Sequence, residues 1–256
     1  MKLQLGLAMT ITVACGMANA SDDWPQYQFD CGHSGNAPSH QLPPDLGLRA
    51  AVRLTDAAFA APVIADGRIF ALDGSGVLFC VDMETCRLLW KFKSDGGPSN
   101  CNNYSTPAVT RGFVHFGTMA GIYYVLDTKN GDVIKAIDCG EPIFSCPVVG
   151  SEAVYFATLG SQVYALAPNG QIRWKWDYVR EVLNFEGDRW DGQAWLKHKK
   201  ERVTWREQFL CSRNIALHNK TLVIPAGGSI VWLEDQGTRA HNLGAFAPRE
   251  SPATLG

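Results

Sequence analysis

The side chains that could do chemistry in this sequence are mainly thiols, imidazoles and carboxylates, and their spacing decides what they support. Cys80 and Cys86 flank one short turn segment, and Cys139 and Cys146 flank another. Each pair could close a local disulfide if its Cα atoms lie within about 7 Å. The sequence has no Cys-x-x-Cys pair of the metal or haem type. The cysteines are therefore interpreted as structural or unpaired thiols. Three cysteines remain outside these pairs, and one of them must be free or pair between chains: Cys31, Cys101 and Cys211.

Histidines and acidic residues give no stronger signal. His33 and His40 lie in a proline-rich segment, where two histidines are more often solvated than bound to a metal. Three carboxylates lie close together in the charged insertion and could act as an acid and a base: Glu186, Asp188 and Asp191. Neighbouring carboxylates are common in charge-rich segments, so they give no specific signal. The Gly-x-Ser-x-Gly, His-Glu-x-x-His and Gly-x-x-x-x-Gly-Lys motifs are missing. The sequence therefore marks no catalytic residue and no metal site.

The elements that position these side chains come from an internal repeat. Residues 60–93 contain four short apolar runs separated by turn residues, such as Asp66-Gly67, which predicts a four-stranded antiparallel meander. The pattern returns at a spacing typical of propeller blades, marked by Pro62, Pro107 and Pro147. A weaker fourth copy begins near Ser212. The stretch after Gln236 is interpreted as the start of another blade.

A local signature accompanies the turn between the third and fourth predicted strands. The first copy has Asp82 followed by Trp90, the second has Asp127 and Gly131, and the third has Gly170 and Trp174. An Asp can bond amides of its own turn, a Gly can adopt the left-handed position of a bulged hairpin, and a Trp can fill the space between blades. These six residues are predicted to be structural.

The signature resembles the Ala-x-Asp-x-x-x-Gly-x-x-x-Trp motif of PQQ-like, or quinoprotein-type, repeats over roughly residues 60–235. This resemblance implies an all-β fold, a β-propeller of four-stranded antiparallel blades. About four repeats fit the length, which leaves a small or incomplete ring, a ring completed by two chains, or a truncated form of a longer protein. The same repeats occur in quinoprotein alcohol dehydrogenases and in a non-enzymatic barrel-assembly lipoprotein of the bacterial outer membrane. A fold shared by both kinds of protein does not decide between them.

The amino-terminal region has two parts. Residues 1–20 read as a signal peptide, with Lys2, an apolar core and a small-residue cleavage site ending at Ala20. An acylated Cys15 is the less favoured alternative. Residues 21–56 form a turn-rich leader whose opening is similar to that of exported PQQ-like repeat proteins, and the resemblance implies that it supplies an outer strand to the last blade. We expect its aromatic residues to anchor the leader: Trp24, Tyr27 and Phe29.

Two segments interrupt the repeats of residues 57–256. The loop 94–104 contains three asparagines whose side-chain amides could donate to a ligand or hydrogen-bond to the backbone of their own turn: Asn100, Asn102 and Asn103. The insertion at 177–211 has partly helical spacing and high charge. Its tryptophans either pack on the blades or form a lid or docking element: Trp190, Trp195 and Trp205.

Together these patterns predict an exported, periplasmic or secreted propeller that acts as a scaffold or binding protein in the cell envelope. Its expected partners are envelope proteins or a second copy that completes the propeller. A formal net charge of −2 gives no sign of a nucleic-acid partner, and no segment beyond the signal is long enough to span a membrane. The alternatives are a quinoprotein-like oxidoreductase fragment using PQQ with Ca²⁺, and a carbohydrate- or peptide-binding propeller with the three insertion tryptophans at its site. No cofactor is expected under the favoured interpretation.

Overall fold

In the described residues, sixteen strands fold into four antiparallel sheets, which we number as blades in chain order. The structure is a computed structural model that describes residues 23–37, 45–200 and 204–246. Blade one contains β1 Val63–Ala65, β2 Arg68–Leu72, β3 Val77–Asp82 and β4 Leu88–Lys93. Blade two contains β5 Ala108–Thr110, β6 Phe113–Gly117, β7 Ile122–Asp127 and β8 Val133–Asp138. Blade three contains β9 Val148–Val149, β10 Val154–Ala157, β11 Gln162–Leu166 and β12 Ile172–Asp177. Blade four contains β13 Ala216–His218, β14 Thr221–Ala226, β15 Ser229–Asp235 and β16 Ala240–Phe246.

In every blade the strands pair in sequence order, so each blade is a meander of the predicted kind. The first hairpin of blade one turns at Asp66 and Gly67, both with positive φ, as a two-residue turn requires. In every blade the register between the third and fourth strands shifts after the same repeat position, namely after Cys80, Val125, Ala165 and Trp232. The extra residue of each β-bulge lies on the fourth strand. The equivalence of the four blades is therefore visible in their register, even where the sequence match is weak.

The stretch after Gln236 does not begin a further blade, which corrects the sequence interpretation. Residues 240–246 form β16, the outer strand of blade four, and pair with β15. The sequence pattern was misleading because β16 is exposed along most of its length and lacks the alternation of buried side chains. The described part of the leader also supplies no outer strand, since the outer edge of blade four belongs to this later segment.

The buried side chains form three clusters, each between consecutive blades. One joins blades one and two, one joins blades two and three, and the third joins blades three and four together with the insertion. The described residues of the insertion form three short helices, α1 Tyr178–Glu181, α2 Gly192–Lys199 and α3 Trp205–Gln208. A 3₁₀ turn spans Gly97–Ser99. Within the described ranges no helix is both long and apolar enough to cross a bilayer.

Candidate binding site at the channel mouth

The first strands of the four blades begin side by side, and the residues that precede them line one depression. Its volume is about 590 Å³. The outer tier lies three residues before the repeat proline or its equivalent and consists of Phe59, Tyr104, Phe144 and Ser212. The inner tier lies two residues further along and consists of Ala61, Thr106, Cys146 and Asn214. Tyr27 and Arg213 complete the lining, and we call this depression the channel mouth.

Three aromatic rings of the outer tier form a continuous arc. The Tyr104 ring lies between its neighbours, with centroids 5.1 Å from Phe59 and 5.6 Å from Phe144, and it stacks on Phe144 with an interplanar angle of 14°. Phe59 is 46% exposed and Tyr104 is 42% exposed. Exposed aromatic surface held rigidly in a concave site is a frequent anchor for protein and ligand contacts. The arc therefore has the character of a binding surface.

The inner tier fastens each blade to the next through its side chains. The Ala61 amide donates to Thr106 Oγ1 at 3.0 Å, the Thr106 amide donates to Cys146 Sγ at 3.2 Å, and the Cys146 amide donates to Asn214 Oδ1 at 2.9 Å. Desolvation raises the pKa of the Cys146 thiol to about 11. A thiol with such a pKa is almost fully protonated near neutrality and is a poor nucleophile. The inner tier is therefore structural, and Cys146 is unsuited to covalent catalysis.

The leader lies beneath the mouth and crosses the first strands of all four blades. Trp24 pairs with Ile64 through two backbone hydrogen bonds. Three further hydrogen bonds join the leader to the other blades. The Val109 amide donates to Pro25 O at 2.8 Å, and the Val149 amide donates to Gln26 Oε1 at 2.9 Å. The Leu217 amide donates to Cys31 O at 2.9 Å. The four blade residues occupy the same position in their strands. The leader thus ties the inner edges of the four blades together.

The predicted leader aromatics take different places. Trp24 and Phe29 pack on each other with centroids 5.2 Å apart, whereas Tyr27 lines the channel mouth and meets the His33 ring edge to face. Burial lowers the pKa of His33. His40 lies outside the described residues, as does the predicted signal peptide.

The insertion is held on blade three by a largely buried ion cluster. Arg189 Nε lies 3.2 Å from Glu141 Oε1, and the same guanidinium pairs with Asp177. Arg189 Nη1 also donates to Gly160 O at 2.6 Å. Glu141 accepts a hydrogen bond from Thr158 Oγ1 at 2.6 Å. Because the three charged side chains are largely shielded from water and hydrogen-bonded to one another, this cluster fixes the insertion in one orientation.

The insertion tryptophans have different environments. Trp195 is buried, stacks on Phe185 with centroids 4.0 Å apart and donates from Nε1 to Arg189 O at 2.8 Å. Trp190 is half-buried, and Trp205, which is 46% exposed, meets it edge to face. Trp195 is therefore a core residue of the insertion, and only Trp205 presents much of its surface to solvent.

The asparagines of the loop 94–104 do not line the channel mouth. Asn100 is buried and donates to Ser94 Oγ at 2.7 Å. Asn103 is buried, donates to Gly74 O at 3.0 Å and accepts the Met119 amide at 2.8 Å. Asn102 is exposed on the loop. Two of the three amides therefore satisfy backbone groups of their own surroundings.

The six repeat-motif residues lie at turns and between blades. Asp82 accepts the Thr85 amide at 2.7 Å, and Asp127 accepts the Lys129 amide at the same distance. Gly131 and Gly170 have φ of 77° and 84°, which lie in the left-handed region. The two tryptophans reach the following blade, as their hydrogen bonds show: Trp90 donates to Thr128 and Trp174 donates to Asp235.

Four of the seven described thiols are buried, and the insertion carboxylates Glu186, Asp188 and Asp191 are exposed. All seven described cysteines are free, so neither local disulfide is closed. Asp191 caps α2 through the Gln193 amide. Sequence reasoning missed the aromatic arc, although its members could have been found by aligning the residues three positions before each repeat proline.

The described residues do not fit a quinone cofactor held by Ca²⁺. Calcium requires several hard oxygen ligands, usually carboxylates among them. The lining of the channel mouth contains no Asp or Glu. Across 23–37, 45–200 and 204–246, no group of three or more His, Cys, Asp or Glu residues is placed to hold a metal ion. We therefore derive no quinone chemistry for this site.

Comparisons with known proteins agree with this architecture. A family model described as outer membrane protein assembly factor BamB matches residues 51–142, which include blades one and two. Together with the four blades and their repeat signature, this match makes the chain a PQQ-like β-propeller repeat protein. No curated protein sequence matches the chain significantly.

Among solved structures, BamB from Moraxella catarrhalis is similar at 14% identity with a TM-score of 0.56, over 77% of this chain and 51% of that one. Quinohemoprotein alcohol dehydrogenase from Comamonas testosteroni is similar at 17% identity with a TM-score of 0.65, over 88% of this chain and 41% of that one. The quinohemoprotein alcohol dehydrogenase ADHIIG from Pseudomonas putida HK5 gives 17% identity and a TM-score of 0.58, over 77% and 35%. The chain thus spans about half or less of these structures, and identities this low establish the fold alone.

Proposed function

We propose that this chain is a non-enzymatic binding or scaffold propeller of the bacterial cell envelope, and that it binds an exposed segment of a protein partner at the channel mouth. The observation that carries the proposal is the arc of Phe59, Tyr104 and Phe144, two of whose rings are exposed to solvent. The similarity to BamB, a protein named for outer membrane protein assembly, supports an envelope role. The signal-like residues 1–20 support a periplasmic or secreted location.

The chemistry of the mouth indicates what the bound segment contains. An apolar or aromatic side chain would insert against Tyr104, since aromatic pairs gain stacking energy beyond the area they bury. Arg213 is exposed at the rim, and no carboxylate of the described residues lies within ion-pair distance of it. A carboxylate next to the inserted side chain would pair with this guanidinium. The proposed ligand is therefore an acidic, aromatic-bearing peptide segment of an envelope protein.

A photocrosslinking experiment tests this proposal in the producing bacterium. A photoreactive phenylalanine analogue placed at Tyr104 should crosslink to an envelope protein, whereas the same analogue at the exposed Ile172 of blade three should not. The captured partner is then purified, and its affinity for the wild-type chain is measured by calorimetry.

Two substitutions locate the site. Tyr104→Ala should weaken binding of the captured partner at least tenfold, as expected for an aromatic interface anchor. Trp205→Ala is the matched control, because Trp205 is similarly exposed but lies on the insertion. Loss of binding in the Trp205 variant alone would place the site on the insertion, as in the carbohydrate- or peptide-binding alternative. Quenching of tryptophan fluorescence by glycans would identify the ligand as a carbohydrate. Dye-linked alcohol oxidation after addition of Ca²⁺ and pyrroloquinoline quinone would overturn the non-enzymatic assignment.

A further inference from the structure

Each of the first three blades has one face that packs on the blade following it, which we call its forward face. Strand register places equivalent residue pairs on these faces: Phe70 with Cys80, His115 with Val125, and Tyr155 with Ala165. All six are buried. In blade four the equivalent pair is Val223 with Trp232, and the pair Pro225 with Ile230 lies on the same face.

The forward face of blade four is apolar, but unlike the other three forward faces it is not covered by a following blade in the described residues. Val231 and Leu233 belong to the cluster shared with blade three, so the alternating Trp232 points to the opposite side of the sheet. Ile230 is 42% exposed, and Val223, Pro225 and Trp232 are only half-buried. A face whose equivalents are buried three times in the same chain is suited to a further blade.

The three internal junctions share one polar contact. In each, a ring nitrogen on one blade bonds the residue that starts the β3–β4-type turn of the next: Trp90 Nε1 donates to Thr128 O at 3.0 Å, His115 Nε2 lies 2.9 Å from Pro168 O, and Trp174 Nε1 donates to Asp235 Oδ1 at 2.8 Å. The acceptor residues are equivalent, because Thr128, Pro168 and Asp235 each lie three positions after the residue at which the register of their blade shifts. A ring N–H bonded to the neighbouring turn is therefore the recurrent latch between blades.

Blade four keeps a tryptophan for this latch but presents it from the other strand. In blades one and three the cross-strand pairs are Cys80 with Trp90 and Ala165 with Trp174. In blade four the sizes are exchanged, since Trp232 on β15 faces Gly244 on β16. The large aromatic side chain is thus retained on the forward face, where no following blade meets it within the described residues.

Blade one provides the complementary acceptor. Met83 follows Asp82 and so occupies the position equivalent to Thr128, Pro168 and Asp235. It lines an open groove of about 500 Å³ together with Arg49, Asp66, Gly67, Asp82 and Glu84. On the adjoining face of the sheet, Ile69 and Ala71 remain half-buried, whereas their cross-strand partners Val81 and Phe79 are buried. The groove at Met83 is large enough to accept an indole ring.

We propose that a second copy of this chain docks its blade one on the forward face of blade four, with Trp232 inserted in the groove at Met83. Blades one and four carry the two halves of a junction that the chain already uses three times. Repeating the contact by a twofold rotation about the propeller axis closes two four-bladed arcs into one ring. This proposal concerns a different surface from the channel mouth and does not depend on peptide binding there.

The test is the mass of the purified full chain in solution, measured by light scattering between about 1 and 100 µM. A dimer of twice the chain mass is expected, and Trp232→Glu should raise its dissociation constant at least tenfold. Leu243→Glu is the matched control, since Leu243 is an exposed apolar residue of the same blade and should leave the dimer unchanged. A monomer throughout this range would overturn the proposal and indicate that another chain or further blades cover this face. A dimer that tolerates Trp232→Glu would overturn it equally.

Crosslinking gives a second readout that does not depend on the charged variant. In a background that carries Cys31→Ser, Cys86→Ser and Cys101→Ser, a mixture of separate Trp232→Cys and Met83→Cys chains should form a disulfide-linked pair under mild oxidation. Leu243→Cys mixed with Met83→Cys should not. Tyr104→Ala should leave both results unchanged, so failure of the dimer and failure of the peptide site can be told apart.

Discussion

The junction between blades three and four depends on a single buried carboxylate, and removing it should cost a measurable part of the folding free energy. Asp235 Oδ2 accepts the Tyr155 hydroxyl at 2.6 Å, and Oδ1 accepts Trp174 Nε1 at 2.8 Å. All three side chains are less than a tenth exposed. Asp235→Ala leaves two buried donors without a partner, and each loss costs about 1–3 kcal/mol, so the variant should lose roughly 3–5 kcal/mol of unfolding free energy.

Asp235→Asn refines this expectation because an amide keeps only one acceptor oxygen. It can satisfy one of the two donors, so its loss should be about half that of the alanine variant. Both are measured by urea unfolding followed by tryptophan fluorescence, with Asp138→Ala as the control. Asp138 is an exposed carboxylate that accepts the Gly140 amide of its own turn at 2.9 Å. An alanine variant at 235 within about 0.5 kcal/mol of this control would refute the assignment of Asp235 as the latch.

The same carboxylate predicts a dependence on pH. Burial tends to raise the pKa of Asp235, but the hydrogen bonds from Tyr155 and Trp174 outweigh it and hold the pKa below the ordinary value of 3.8. A depressed carboxyl pKa contributes stability that is complete above the unfolded pKa and disappears as the pH falls through the folded pKa. The difference between the wild type and Asp235→Asn should therefore be constant near neutrality and shrink below about pH 4. A difference that does not change on acidification would contradict this origin.

Other expectations follow from burial. Trp195→Ala should cost about 3–5 kcal/mol in urea unfolding because the ring fills the core of the insertion, whereas Trp205→Ala should cost less than about 1 kcal/mol. Burial lowers the pKa of His115 to about 4, so the unfolded chain binds a proton that the folded one rejects, and stability should fall by up to about 1.4 kcal/mol per unit as the pH drops from 6.5 to 4. His115→Gln should remove that slope, and a slope that persists in the variant would place its origin elsewhere. Exposed Cys101 should react with a thiol reagent in the native protein, whereas four buried thiols should react only after denaturation: Cys80, Cys139, Cys146 and Cys211.

The sequence predicted the blades because their signals are local. A two-residue turn such as Asp66-Gly67 depends on backbone conformations that few residue types adopt, and alternating apolar runs have only one face to bury. The helical tendency of the insertion was visible for the same reason. The outer strand β16 was misread because it is exposed, and an exposed strand need not alternate.

The channel mouth was decided by tertiary structure. Phe59, Tyr104 and Phe144 lie in three separate segments, and nothing in any one of them indicates that their rings meet. They meet because each precedes the first strand of a blade, and the blades place those strands side by side. The course of the leader beneath them is likewise set mostly by backbone hydrogen bonds, which residue types do not specify, with one contact from the Gln26 side chain.

The two ends of the blade array show the same division. The sequence by itself determined four repeats, their turns and the motif residues between them, because periodicity and turn chemistry act over a few neighbours. Only the folded chain showed that Trp232 lies on the face that a following blade would cover, since the side of a strand on which a residue points depends on register with both neighbouring strands. Strand register is set by packing across the whole sheet, and so it could be seen only in the tertiary structure.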